Sequence, residues 1–350
     1  MSGGSAAAVR RQPNGAASPS GRGAALSPRS LSIGLSAVIV AASEHEPRVL
    51  TVRLGASGGS PVEALPSGPL EAEHRTLEIG LRSWVERQTS QRLGYVEQLY
   101  TFGDRDRLAA ATEATDPAPE NPALTVAYLA LVREVLPAGS AEAGWQSWYR
   151  YFPWEDWRGG RPPPLAPLEA GLADWAASAP GEAERRLREV RMQVAFGLQS
   201  ASWNEELVLE RYELLYEAGL VSETARDQGQ EQAVAGAGAG VVMAVDHRRI
   251  LATAVGRLRG KIKYRPVVFE LMPPAFTLSQ LQRTVEALSG VRLHKQNFRR
   301  LVEQQGLVEE TGEISAATGG RPARLVRFRR EVLLERPAPG LRLRAGRRIT

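Results

Sequence analysis

The chain has 350 residues, no cysteine, four histidines, 43% hydrophobic residues and a formal net charge of +5. It is long enough for two or three domains with ordinary cores. Disulfides, thiolate nucleophiles and Cys-ligated zinc are excluded, and little is left for a His-built metal site. The charge is unevenly placed: residues 248–350 hold 22 Lys+Arg against 8 Asp+Glu, a net +14, and the remainder holds 22 against 31, a net −9. A neutral-to-acidic body thus carries a basic C-terminal module, whose natural partner is a polyanion.

Residues 1–30 contain Gly, Ser, Ala, Pro and Arg without an acid and read as a disordered tail. The apolar run from Ile33 to Ala42 is half of the roughly 20 residues that a membrane span requires, so no membrane segment is expected and a cytoplasmic location is. "SIGLSAVIVAA" reads as a buried strand and "RVLTVRLG" as a second, making a hairpin across Ser43–Pro47. A Gly/Pro/Ser loop, "GASGGSPVEALPSGP", leads into a helix, "HRTLEIGLRSWVERQTS" at 74–90. "GYVEQLYTFGD" and "LTVAYLALV" are further strands, separated by a loop from Arg105 to Pro122. Strands, helix, strands make an α+β start.

From Ala138 to Gly240 the pattern changes: "GWQSWYRYFPWEDWRGGRPPP" precedes helical segments near 182–199 and 203–220 and the run "AVAGAGAG". This reads as an inserted helical subdomain. Its aromatics, Trp145, Trp148, Tyr149, Tyr151, Phe152, Trp154 and Trp157, suit either a packed core or a stacking surface for adenine, and packing is the commoner use of such density. "GVVMAVDH" reads as a strand. "RRILATAVGRLRGK" reads as a helix with Ile250, Leu251, Ala254, Val255 and Leu258 on one face.

"FTLSQLQRTVEALSG" opens with Thr277 as N-cap, Gln280 as its capping-box partner, and Phe276 with Leu281 as a hydrophobic staple; Gly290 is the stop. "HKQNFRRLVEQQGLV" is a second helix, with Phe298, Leu301 and Val302 inward and Gly306 just past its end. Its other face shows Lys295, Gln296, Asn297, Arg299 and Arg300, side chains able to reach phosphates and base edges. A solvated basic face is the alternative. Two strands follow, "LVEETGE" and "ARLVRFRRE", joined by the tip "ATGGRP". Helix, short connection, helix and basic hairpin is the order of a winged helix-turn-helix. Thr277, Ser279, Gln280 and His294 at the helix starts, the face of the second helix, and Arg321 and Arg324 of the wing are then the candidate DNA contacts.

The 74–90 helix has a spacing of its own. Counted from Gly68, it resembles the signature of the Nudix hydrolases, with Gly68, Arg82, Trp84 and Glu86 in place. His74 stands where the first Glu belongs, Ser83 and Arg87 replace two metal-binding carboxylates, and Thr89 replaces a Gly. One carboxylate beside a guanidinium makes a poor octahedral magnesium site, so no catalytic residue, metal or cofactor is expected. Arg82 and Glu86 could equally form a plain i,i+4 ion pair.

With "YVEQLYTFGDRDR", "LTVAYLALV", "VDHRRILATAVGRLRGKIKYRPVVFELMPPAFTLSQLQ" and "HKQNFRRLVEQQGLVEETGE" added, most of 31–335 resembles the Nudix-related transcriptional regulators of NAD metabolism, the NrtR-like family. The resemblance implies a Nudix-like α/β/α sandwich over 31–262, with a helical insertion at about 158–238, then a winged helix over 263–336 and a basic tail over 337–350. "DHRRIL" would close the Nudix sheet and "GKIKYRP" would join the two domains. It also implies a homodimer on a palindromic operator, a repressor of NAD genes released by ADP-ribose or a related nucleotide, with Arg82, Ser83, Glu86 and Arg87 as candidate effector contacts. An active hydrolase of ADP-ribose or another nucleoside diphosphate derivative is the alternative. A nucleic-acid-binding scaffold that senses nothing is a third reading.

Overall fold

The computed structural model describes residues 32–55, 61–104, 123–133, 143–228, 238–315, 322–341 and the backbone of 347–348. The N-terminal tail, the 105–122 loop, most of "AVAGAGAG" and the wing tip through Arg321 lie outside these residues. In chain order the elements begin with β1 (Ser32–Ala42), β2 (Pro47–Leu54), β3 (Val62–Ala64), β4 (Ser67–Pro69), α1 (Leu77–Thr89), β5 (Tyr95–Asp104), β6 (Ala123–Leu131) and β7 (Ala143–Ser147). Then come α2 (Leu165–Ala177), α3 (Glu182–Phe196), β8 (Ser202–Trp203), α4 (Val208–Glu217), α5 (Ser222–Asp227) and α6 (His247–Tyr264). The chain continues with α7 (Leu278–Ser289), α8 (Lys295–Gln304), β9 (Val308–Ser315), β10 (Ala323–Phe328), α9 (Val332–Glu335) and β11 (Arg347–Arg348).

The main sheet runs β3-β2-β1-β6-β5, with β4 also on β1 and β7 also on β2. β1 and β6 are parallel from Ser32↔Ala123 to Val40↔Leu131, and the β1–β2 hairpin closes at Ala42↔Pro47. β1 is apolar without interruption because both of its faces are covered. Leu35, Ala37, Ile39 and Ala41 meet Leu81 and Val85 of α1, while Val38 and Val40 face the larger core that contains α6 and the tryptophans. The result is a helix/sheet/helix sandwich.

β7 returns to pair with β2, and the helical segment follows directly after Ser147. It opens with two 3₁₀ turns, Trp148–Arg150 and Pro153–Glu155. The aromatic cluster is core: Trp148, Tyr151, Phe152 and Trp154 are fully buried, with Phe152 edge-on to both Trp154 and Tyr212. Among the described residues the Nε1 atoms of Trp148, Trp154, Trp157 and Trp203 have no hydrogen-bond partner, and the rings are held by packing and by the guanidinium groups of Arg211 and Arg248 over Trp203 and Trp154.

"GVVMAVDH" is not a strand: the N–H groups of Val241, Met243 and Ala244 donate to the Arg150 carbonyl, the Glu223 carboxylate and the Glu63 carbonyl, three separate partners where a strand would have one ladder. "DHRRIL" does not close the sheet either. His247 starts α6, whose Ile250, Leu251, Ala254, Val255 and Leu258 are buried in the core on the far side of the sheet from α1, the helical stripe that their spacing predicts. "GKIKYRP" forms the last turn of α6 and the bend after it.

In the C-terminal part, Thr277 accepts from the Gln280 N–H at 3.1 Å while the Gln280 side chain accepts from the Thr277 N–H at 2.7 Å, completing the capping box. β9 and β10 form an antiparallel hairpin with an irregularity between Arg324 and Val326, and Phe276 bridges to Val326 as a third short strand. β11 pairs with β8. Among the described residues no helix is long and apolar enough to cross a membrane.

Candidate functional site

α8 is strongly two-faced. Phe298 and Val302 are buried, whereas His294, Lys295, Gln296, Asn297, Arg299 and Arg300 are all exposed. Among the described residues the only side-chain bond on this face is a long one from Arg300 to Asn297, at 3.4 Å. Three cations with no acidic partner among the described residues, on one helical face, give a concentrated positive field. The helix starts differ from this face. Thr277 is buried, and its hydroxyl and the Gln280 amide are taken up by the capping box, leaving half-buried Ser279 beside them.

The wing is more guarded. Arg324 makes bonds of 2.7 and 3.0 Å to Glu310 across the hairpin, and Arg327 bonds Glu309 at 2.6 Å. "EETGE" thus partly neutralises the strand that carries the wing arginines.

On α1, Arg82 does not pair with Glu86. It grips Glu78 at 2.9 and 2.8 Å and reaches the carbonyls of Leu93 and Gly94, because an acid one turn N-terminal to an arginine is the better-oriented pair. Glu86 bonds Arg92 instead, at 3.2 Å. Arg87 lies over the Trp84 ring at 4.0 Å and reaches Glu71. His74, at the first Glu position, contacts Glu71 at 3.4 Å. Among the described residues no group of three His, Asp or Glu side chains converges as a metal site.

A cavity of about 290 Å³ lies beside this helix. Leu35 and Ser36 of β1, Val52 and Leu54 of β2, Gly68 and Pro69 of β4, Trp84 and Gln88 of α1, Thr125 of β6, and His247 and Ile250 of α6 line it. Arg82, Ser83, Glu86 and Arg87 do not line it, although they sit on the same helix. None of the described lining residues is Asp, Glu, Lys or Arg. Gly68 is required by contact: a Cβ there would lie 2.1 Å from Trp84 Cδ2. His247 Nδ1 accepts from the Leu65 N–H at 3.0 Å, which fixes the ring proton on Nε2.

The other end of α6 reaches the turn before α8. Arg259, fully buried, donates from Nε to the Leu288 carbonyl at 3.0 Å and from Nη1 to Glu155 at 2.5 Å. Glu155 is also bonded by buried Arg211 at 2.5 Å. Burial alone would raise the Glu155 pKa, but the charges and hydrogen bonds of Arg211 and Arg259 more than offset it and hold the carboxyl below its ordinary range. Tyr149 Oη donates to the Ala287 carbonyl at 2.7 Å, and the Trp157 N–H to the Gly290 carbonyl at 2.7 Å. Gly290 has φ +76, and a Cβ on it would meet the Glu155 carbonyl at 2.4 Å. Three groups from the insertion and α6 therefore fasten the C-terminal end of α7. Sequence reading missed this clamp, whose one visible signal was the pair of acids, Glu155 and Asp156, between tryptophans in "PWEDW".

Residues 268–328 match the NrtR DNA-binding winged helix domain family. A curated relative from Acinetobacter baylyi, described as an ADPR responsive transcriptional repressor, is 44% identical over 86 residues, which is 25% of this chain and 34% of that protein. The chain thus aligns with about a third of that relative's length. Among solved structures, Shewanella oneidensis NrtR complexed with a 27mer DNA superposes with a TM-score of 0.50 at 20% identity, over 86% of this chain and 94% of that one. That likeness extends the shared fold beyond the winged helix to the Nudix-like sheet.

Proposed function

We propose that this chain, whose residues 268–328 match the NrtR DNA-binding winged helix domain and whose fold resembles that of Shewanella oneidensis NrtR, is an NrtR-like DNA-binding transcriptional regulator, a repressor of NAD-metabolism genes, that senses an NAD-related nucleotide such as ADP-ribose. In this reading residues 31–262 form the effector domain, residues 263–336 bind a palindromic operator as a homodimer, and the protein works in the cytoplasm beside its DNA. The observation that carries the proposal is α6, which lines the cavity with His247 and Ile250 and reaches the α7–α8 turn with Arg259. From residue 247 to residue 259 a rigid helix spans about 18 Å.

The Nudix-like domain is proposed to bind its nucleotide without hydrolysing it. Glu86 answers to Arg92, and Ser83 and Arg87 replace the acids that would hold magnesium. The cavity would receive the uncharged part of the nucleotide, with the phosphates towards α1. Ligand can then shift DNA affinity only through a difference in its own affinity for two arrangements of the protein.

A mobility-shift assay on the protein's own promoter and on NAD-gene promoters tests the DNA half: a salt-sensitive shift is expected, and its absence on every promoter refutes it. Calorimetry with ADP-ribose and NAD on wild-type and Ser36→Leu protein tests the sensor half. Binding lost in the variant supports the cavity, and heat from neither ligand on wild-type protein removes the sensing claim. Turnover with Mg²⁺ or Mn²⁺ that Glu86→Gln abolishes would establish the hydrolase instead.

A further inference from the structure

α3 sits on the outside of the insertion with Met192, Ala195 and Phe196 turned into the core. Its outer face should be polar, as on an ordinary surface helix. Instead Leu187, Val190 and Val194 are 53%, 54% and 55% exposed, and exposed Ala183 lies on the same line. The spacing 183, 187, 190, 194 is the alternating four-and-three step of a coiled-coil seam. Scattered apolar surface residues need no explanation, but a four-residue stripe in register does.

We propose that this stripe packs against α3 of a second copy of the chain, antiparallel about a two-fold axis. The charges beside it select the partner and its direction. In an antiparallel pair with Leu187 opposite Val190 of the other copy, Glu184 on one flank falls opposite Arg191, and Arg186 on the other flank falls opposite Gln193. Each copy thus meets one opposite-charge pair twice and no like-charge pair. A parallel arrangement would set Arg186 of one copy beside Arg191 of the other, a like-charge pair. Glu184 and Arg191 already hold Arg188 and Glu217 of their own chain, so both are oriented before the copies meet.

A 15-residue helix can bury only a fraction of the ~800 Å² per partner that a stable interface needs. The seam therefore adds to a larger dimer contact and fixes its geometry. It rests on the dimeric regulator proposed above for its use, and not for its chemistry.

Because the chain has no cysteine, single cysteines report contacts cleanly. Full-length Val190→Cys treated with a short bis-maleimide is expected to give a covalent dimer, while Leu334→Cys, at a residue 92% exposed, is expected to stay monomeric under the same conditions. Val190→Glu is expected to raise the dimer dissociation constant at least about tenfold, since each two-fold contact loses the buried valine twice. A Val190→Cys protein that sediments as a dimer and binds operator yet does not link overturns the seam and leaves the regulator intact. Linking by a protein that binds no promoter DNA supports the seam and removes the regulator. Equal linking at Val190 and Leu334 reflects collision and overturns the seam.

Discussion

Arg259 donates to the carbonyl of Leu288 at 3.0 Å, ahead of α8, from a helix whose first residue, His247, lines the cavity twelve positions away. Tyr149 adds a second bond to the same turn, at 2.7 Å to the Ala287 carbonyl. Burial raises the Tyr149 pKa, so the phenol stays a neutral donor across the working range. Tyr149→Phe should cost about 1 kcal/mol of stability and leave operator affinity without ligand nearly unchanged. The ligand's effect on operator affinity should shrink, which titrations of labelled operator with and without ligand will measure.

Glu155 is the electrostatic centre of the clamp. Its folded pKa lies below the unfolded value, so its contribution is complete above the unfolded value and is lost as pH falls through the folded one. Glu155→Gln should lower stability at neutral pH by about 3–5 kcal/mol, because two buried guanidinium groups lose their counter-charge. The acid side of a Tm-against-pH profile should also become flatter than in the wild type.

On α8, the expected losses differ by residue. Lys295→Ala and Arg299→Ala should weaken binding to all sequences and reduce the slope of log affinity against log salt by about 0.9 for each phosphate contact removed. Gln296→Ala should instead narrow the gap between operator and mismatched DNA. Affinity measured at several salt concentrations on both DNAs separates the two effects.

The wing should respond in the opposite direction. Glu310→Gln releases Arg324 from its two hydrogen bonds at 2.7 and 3.0 Å. An exposed pair of this kind holds about 0.2–1 kcal/mol, so DNA affinity at low salt should rise by up to about fivefold. Anisotropy titrations would show it.

Gly68→Ala should destabilise the protein by about 1–3 kcal/mol, since the added methyl must displace the Trp84 ring. Thermal unfolding measures this. Gly68 thus makes room for the Trp84 indole.

The C-terminal elements were legible because each carries a local signature: the Thr277–Gln280 box, the Gly290 stop and the Phe298/Val302 stripe all stand in the structure as their spacing implies. β1, β2, β5 and β6 were legible as apolar runs. "GVVMAVDH" misled because its β-branched and apolar residues serve an irregular segment whose N–H groups scatter to distant partners. The buried ion cluster was hidden for the same reason: Glu155 and Arg211 are 56 positions apart, and Glu155 and Arg259 are 104 apart, so no periodicity joins them. In α1 the acids absent from the Nudix spacing were plain, but the cavity's lining by Trp84 and Gln88 depends on the approach of β4 and α6.

In the proposed regulator, α6 and its clamp couple the cavity to α8. The most direct measurement is a linkage cycle: operator affinity at zero and saturating ADP-ribose, and ADP-ribose affinity with and without operator. Coupling predicts equal changes around the cycle, in the range of about 5–150-fold. Operator affinity that stays the same at saturating, calorimetrically verified ligand would contradict it.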